Sequence, residues 1–186
     1  MSTPIDPESL AARLGTANYP PVQTWKPPIK GEMALRITRN GEWMYQDSPI
    51  QRPALVRLLA SVLRLDSDAE YYLVTPTEKL RITVDDVPFL AVEVEQTRTD
   101  SHQSLIFRTN VDDIVAADPE HELWVAGRGE ATGPLPYLHV RAGLNARITR
   151  PVFYALADFA CHHRIDGQEF LGVFSGGVFF PLECTG

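Results

Sequence analysis

The chain has too little of several things to be many kinds of protein. Only two of its 186 residues are cysteines, Cys161 and Cys184, and neither stands in a CxxC or zinc-ligand spacing. That excludes a disulfide-framed scaffold and a structural zinc module. Two reduced thiols suit a cytoplasm, the expected compartment. Positive charge is scarce: 17 Lys and Arg against 24 Asp and Glu leave a formal net charge of −7. A protein that tracks a phosphodiester backbone needs dense Lys and Arg to displace counterions, so no polymeric nucleic acid is expected as a partner. No apolar run approaches the ~18 residues of a membrane-spanning helix, so no span is expected. The first residues lack the basic, apolar and small-residue order of a secretory leader.

Catalytic signatures are missing as well. There is no G-x-S-x-G nucleophile elbow. Gly127-Arg128-Gly129 with Gly133 is wrongly spaced for a dinucleotide fingerprint or a phosphate loop, and strands rather than a helix follow it. No carboxylate pair stands out for acid–base work. The neighbours His162 and His163 fall about 100° apart on the expected helix and cannot simply share a metal. No catalytic residue, metal or cofactor is therefore assigned, and the balance leans away from an enzyme.

What is present is an ordinary globular composition, 44% hydrophobic and 22% charged, and one phrase used twice. Ile50-Gln51-Arg52-Pro53 opens an apolar stretch, and Ile148-Thr149-Arg150-Pro151 opens another. Ile50 and Ile148 lie 98 residues apart, and Leu58 and Leu156, Asp68 and Asp166, and Leu73 and Leu171 match at the same offset. A fixed offset marks duplicated units. Helices are expected over 52–65 and 150–163, each followed by sheet, over 71–84 and 170–182.

The remaining elements follow from turn chemistry and alternation. Asp6-Pro7 starts a short helix through Leu14, and the prolines between 15 and 30 mark an extended arm. Asn40-Gly41 supplies a two-residue hairpin turn. Strands are expected over 89–95, 104–109, 122–126 and 135–141, with an acidic loop over 111–120. The expected fold is α+β, two sub-domains each made of a curved antiparallel sheet carrying one helix. The divisions are 1–31 for the arm, 32–86 for the first sub-domain and 87–186 for the larger second.

Arg52 and Arg150 are the strongest candidates for function. Proline is at home in the first helical turn, which puts both arginines at or near the N-cap. An arginine there accepts nothing from the free amides and opposes the helix dipole. Two such positions fit an anion site, guanidinium beside free N–H groups. The plainer alternative is that each arginine pairs with a carboxylate across the sub-domain boundary, from Asp47, Asp66, Asp86 or Glu78. Ser48-Pro49-Ile50-Gln51 also has capping-box spacing, which would start the first helix earlier and place Pro53 inside it.

Further candidates sit on turns and strand ends. Thr75, Glu78 and Lys79 occupy a hairpin tip. Arg108, Thr109 and Asn110 close a strand. Tyr137, His139 and Arg141 alternate along one strand and share a face. Turn chemistry and a solvated face are the bland explanations for the same residues.

The stretch Asn40-Gly41-Glu42-Trp43-Met44-Tyr45, then Ser48-Pro49-Ile50 with Arg52, then Tyr72-Leu73-Val74-Thr75-Pro76 with Glu78-Lys79, and Asp85-Asp86-Val87-Pro88-Phe89 resemble the bacterial family known as domain of unknown function 1285. The likeness covers most of 31–182, and the chain departs from it at Asp47, where that family carries glycine. The resemblance implies a duplicated α+β fold with a C-terminal half loosely similar to pleckstrin-homology domains. It also implies a ligand site between the domains, for a nucleotide-like molecule, and a role in signal transduction. Three functions follow in order: a binding module for an anionic small molecule, a scaffold for a protein partner, and an enzyme acting on a phosphorylated metabolite.

Overall fold

A computed structural model of the chain describes residues 19–98, 102–127 and 133–185. The expected helix ending at Leu14 lies outside the described residues.

Strand β1 (Ile29–Ile37) turns back through Asn40-Gly41 into β2 (Trp43–Tyr45), with Ile37 opposite Trp43. Gly41 has φ 79°, and a Cβ there would stand 2.8 Å from both the Asn110 amide nitrogen and Leu90. Only glycine meets both demands. The next turn, Gln46-Asp47, is also left-handed, at φ 48° and 62°. Glycine adopts that conformation freely, which is consistent with the glycine of the resembling family at Asp47. β3 (Ser48–Pro49) follows, paired with β2.

Helix α1 (Pro53–Ser61) starts at its proline, with Arg52 as an extended N-cap whose side chain caps nothing. The earlier start at Ser48 is ruled out, because Ser48 and Pro49 lie in a strand. After α1 come β4 (Leu63–Leu65), β5 (Tyr71–Val74) and β6 (Glu78–Val84). These six strands form one sheet in the order β3-β2-β1-β6-β5-β4, antiparallel throughout except for the central parallel pair β1 and β6.

The second sheet contains β7 (Phe89–Arg98), β8 (Gln103–Thr109), β9 (Ile114–Ala116), β10 (Leu123–Ala126), β11 (Leu135–Arg141) and β12 (Leu144–Ile148). Its order is β10-β11-β12-β7-β8-β9, again with one central parallel pair, β12 and β7. Counted from its own first strand and reversed, this is the order of the first sheet. Helix α2 (Arg150–Ala157) follows, and then a three-stranded sheet of β13 (Cys161–Ile165), β14 (Gln168–Ser175) and β15 (Val178–Cys184).

The expectation of an α+β fold with a helix in each unit is corrected. The described residues are 53% strand and 11% helical, with two short helices and curled sheets. Three causes are visible. The α1 stretch stops at Ser61, because Leu63 and Leu65 pair with Leu73 and Tyr71 in a hairpin. The α2 stretch stops at Ala157, and the segment 161–163, expected to be helical, pairs with β14 instead. The strand-rich middle is a complete six-stranded sheet, which outweighs both helices. The 98-residue offset therefore relates α1-β4-β5-β6 to α2-β13-β14-β15, whereas the large sheets repeat as β1–β6 and β7–β12.

One apolar core joins the halves, from Leu35, Trp43 and Leu63 through Phe107 and Leu138 to Leu156 and Phe180. The β14–β15 hairpin is stitched to the second sheet by Ser175, fully buried, which donates to the Ala117 carbonyl at 2.6 Å and accepts from the Leu105 N–H at 2.8 Å. Among the described residues no helix is long and apolar enough to cross a membrane.

Candidate functional site

The Asn40-Gly41 turn projects from the first sheet onto the second, and its contacts hold the two together. The Asn110 side chain donates to the Gly41 carbonyl at 3.2 Å and accepts from the Leu90 N–H at 2.9 Å. Arg147 donates to the Arg39 carbonyl at 2.5 Å and approaches Asp86 at 3.8 Å, while the Tyr137 hydroxyl donates to Asp86 at 3.1 Å. A recess lies on each side of this turn. One, of about 690 Å³, opens at the start of α2 and is lined by Asn40, Leu90, Pro136, Arg147, Arg150 and Tyr154 among others. The second, of about 320 Å³, opens at the start of α1 and is bounded by Gly41, Trp43, Ile50, Pro53, Arg57 and Asn110.

The structure separates the two leading candidates. Arg150 is the first residue of α2 and lines the larger recess. Arg52 stands at the N-cap position of α1 without capping it and lines neither recess. Both are exposed, and neither forms an ion pair among the described residues. Two of the four carboxylates offered as their partners are engaged elsewhere, and Asp47 and Glu78 form no ion pair with either arginine among the described residues. Asp66 holds Arg64 and Lys79, and Asp86 holds Tyr137 and Arg147.

Most of the other candidates serve the fold. Lys79 is paired with Asp66 and lies 3.7 Å above the Tyr72 ring. The Thr75 hydroxyl accepts the Glu78 N–H at 3.0 Å and closes its hairpin, leaving the Glu78 carboxylate exposed. Arg108 grips Glu93, with Nε 2.8 Å from Oε2, and Asp112 at 3.0 Å. Thr109 is fully buried, and its hydroxyl accepts the N–H groups of Val111 and Asp113. Tyr137 is buried and stacks on Trp124 with ring centres 5.6 Å apart, so its ring has no free face for a ligand on that side. His139 accepts the Gly143 N–H on Nε2, which assigns the proton to Nδ1, facing the Glu120 carbonyl at 2.8 Å.

Arg141 is the most heavily used. It pairs with Asp113, donates to the Ala60 carbonyl at 2.9 Å, and lies over the rings of Tyr19 and Phe89 at 4.0 and 4.9 Å. Tyr19 donates to the same Asp113. Burial, and then the Asp113 carboxylate, push the Tyr19 phenol above its ordinary range.

With this geometry in view, the relatives are informative. Residues 20–87 match the N-terminal domain model, and residues 88–182 the C-terminal domain model, of the protein of unknown function DUF1285. This chain belongs to the DUF1285 family. It is similar to the crystal structure of a DUF1285 family protein from Silicibacter pomeroyi DSS-3, with 42% identity over 95% of both chains and a TM-score of 0.81. It is also similar to one from Shewanella baltica OS155, with 26% identity over 68% of this chain and 91% of that one and a TM-score of 0.55. No curated protein matches the chain.

Within this DUF1285 chain, sequence reasoning missed Arg147, Asp113 and Arg64, which carry no local motif, whereas Asp86 was expected to pair across the boundary, though with Arg52 or Arg150 rather than with Arg147 and Tyr137. Arg64 is 8% exposed, and it donates to the carbonyls of Val22 at 2.7 Å and Trp25 at 3.0 Å, pinning the arm. Its only hint in the sequence is an arginine inside an otherwise apolar strand. In sequence Tyr154 reads as an ordinary helix residue, yet it is 68% exposed and lines the larger recess with Arg150. No group of three or more His, Cys, Asp or Glu among the described residues is placed to hold a metal.

Proposed function

We propose that the protein is a binding module for an anionic, nucleotide-like small molecule, held in the larger recess, which residues of 87–186 line together with Asn40 from 32–86. The supporting observation is Arg150. Arg57, Arg64, Arg108, Arg141 and Arg147 are all ion-paired, whereas Arg150 has no ion-pair partner among the described residues and lines a concave site. An anion there gains a bidentate partner and the positive end of α2. Phe153 and the exposed Tyr154 offer rings for a flat group. The volume of about 690 Å³ suits a molecule of nucleotide size.

A thermal-shift screen of nucleoside mono- and diphosphates tests this. A ligand at ~100 times its Kd stabilises the native state by about 2.7 kcal/mol and raises Tm. Arg150→Ala is expected to abolish the rise and Arg52→Ala to leave it. A rise that survives Arg150→Ala removes this recess from consideration.

A protein-interaction scaffold is favoured by a different feature. Helix α1 leaves Leu58 63% exposed, with Leu55 beside it. In that case nucleotides leave Tm unchanged, and a partner bound by the wild type is lost on Leu58→Glu.

A further inference from the structure

The third sheet ends in an exposed edge. β13, Cys-His-His-Arg-Ile, is the outer strand of the order β13-β14-β15, and all five of its residues are exposed. Among the other described edge strands, only β3, of two residues, is exposed throughout. A free row of N–H and C=O groups templates another strand, so edges are commonly blunted by proline, lysine or a bulge. β13 has none of these. It pairs with β14 in unbroken register from Cys161–Gly172 to Ile165–Gln168.

The register decides which backbone groups face outward. The hairpin turns through Asp166-Gly167, both left-handed at φ 49° and 85°, the geometry of a two-residue type I′ turn. The flanking pair, Ile165 and Gln168, therefore exchanges both backbone bonds, and so do His163 with Phe170 and Cys161 with Gly172. The N–H and C=O groups of His162 and Arg164 then point away from β14. Glu169, opposite Arg164, agrees: its carbonyl accepts the Thr185 N–H, on the β15 side.

The side chains divide in the same alternation. Cys161, His163 and Ile165 share one face, where His163 packs on the rings of Phe174 and Phe179 with centres 5.2 and 4.7 Å away. Ile165 and Phe174 remain exposed there. His162 and Arg164 take the other face, with Glu169 opposite Arg164 and 3.8 Å from His162.

We propose that β13 is an interface for a second copy of this chain, two β13 strands pairing antiparallel about a two-fold axis at His163 and joining two three-stranded sheets into one of six. A second copy fits because the strand complements itself. About that axis His162 lies opposite Arg164 of the second copy, so every outward N–H and C=O of these residues gains a partner. Cys161 meets Ile165 and His163 meets His163 on the apolar face. The other face brings together two Arg164 and two Glu169, a balanced set of charges. Two-fold contacts of this kind are the commonest in soluble oligomers. A contact built on one short strand is small, so the association is of the weak, concentration-dependent class. The proposal goes beyond the nucleotide reading, since no residue of β13 lines either recess.

Sedimentation equilibrium over a range of concentrations tests it. The wild type is expected to rise from the 20.8 kDa of one chain towards twice that mass. His162→Pro removes an N–H that faces solvent, which an edge strand tolerates, and blocks the pairing. It is expected to keep the mass of one chain, with circular dichroism and Tm near those of the wild type. His162→Ala keeps the N–H and is expected to associate like the wild type. Cys161→Ser with His163→Cys locates the axis, because position 163 faces itself across a non-hydrogen-bonded pair, with ~4.5 Å between Cα atoms, within disulfide reach. Mild oxidation is expected to give a covalent dimer there, and none with His162→Cys in the same background. A wild type that keeps the mass of one chain up to about 1 mM overturns the proposal. Association that a folded His162→Pro leaves intact, or cross-linking at 162 rather than 163, overturns it too. No outcome passes through Arg150, so the nucleotide reading is judged separately.

Discussion

Arg141 shows how much of this molecule rests on single residues. Its guanidinium joins β11 to the end of α1 and to the arm, through Asp113, the Ala60 carbonyl and the Tyr19 ring. Its side chain is 17% exposed and that of Asp113 9%. Removing one partner of such a buried pair strands the other charge, at about 3–5 kcal/mol. Arg141→Ala is therefore expected to lower the unfolding free energy by about 3 kcal/mol in urea titration. Arg36→Ala, which breaks an exposed pair with Asp85, is expected to change it far less. Equal effects would show that Arg141 is not the joint described.

The carboxylates carry a pH signature on the same scale. Burial pushes Asp66 up, but hydrogen bonds from Arg64 and Lys79 outweigh it and hold the carboxyl below its usual range. The hydrogen bond from Arg108 does the same for Glu93 against burial. Carboxylates depressed in the folded state bind fewer protons there than in the unfolded chain. Their stabilisation is present above the ordinary carboxylate range of ~4 and is lost as pH falls through their lower folded values. Unfolding free energy is expected to be flat from neutral pH to about 5 and to fall below about 4. In Asp66→Asn with Glu93→Gln the fall should be shallower.

Among the elements, the β14–β15 hairpin offers the sharpest test. A Cβ on Gly172 would sit 2.3 Å from the Phe180 carbonyl oxygen and 2.6 Å from the Phe179 ring. The ring can swing away, but the carbonyl belongs to the sheet. Gly172→Ala is expected to destabilise by about 2 kcal/mol or more, measured by thermal unfolding. A neutral effect would mean that the bulge between Leu171 and Gly172 is not as drawn. Elements that depend on local chemistry were legible in the sequence. Asn40-Gly41 announced its hairpin, Pro53 and Pro151 announced helix starts, and Ser175-Gly176-Gly177 announced a turn. Helix ends were not legible. Leu63 to Leu65 and Cys161 to Ile165 are strands because distant partners, β5 and β14, complete their hydrogen bonding. An apolar run of either type looks alike until its partner is known. The partners of two candidates were hidden for the same reason. Lys79 and Arg108 looked free in sequence because Asp66 and Glu93, the carboxylates that claim them, are brought close only by the sheets.

On the scale of the whole molecule, the two six-stranded sheets have the same strand order but share one core. Residues from Leu35 to Leu182 contribute to a single cluster, so the halves are expected to unfold together. In urea, the indole resonances of Trp43 in the first sheet and Trp124 in the second should lose native intensity at the same midpoint. Two separated midpoints would mean two independent domains. The same joint bounds the larger recess, since Asn40 from the other half helps to line it at the start of α2.

Isothermal titration of AMP and ADP into the wild-type chain, Arg150→Ala and Tyr154→Ala addresses that recess most directly. Saturable binding by the wild type, weakened at least about tenfold by either substitution, is the expected result. No heat of binding from either nucleotide, or equal affinity in all three proteins, would contradict it.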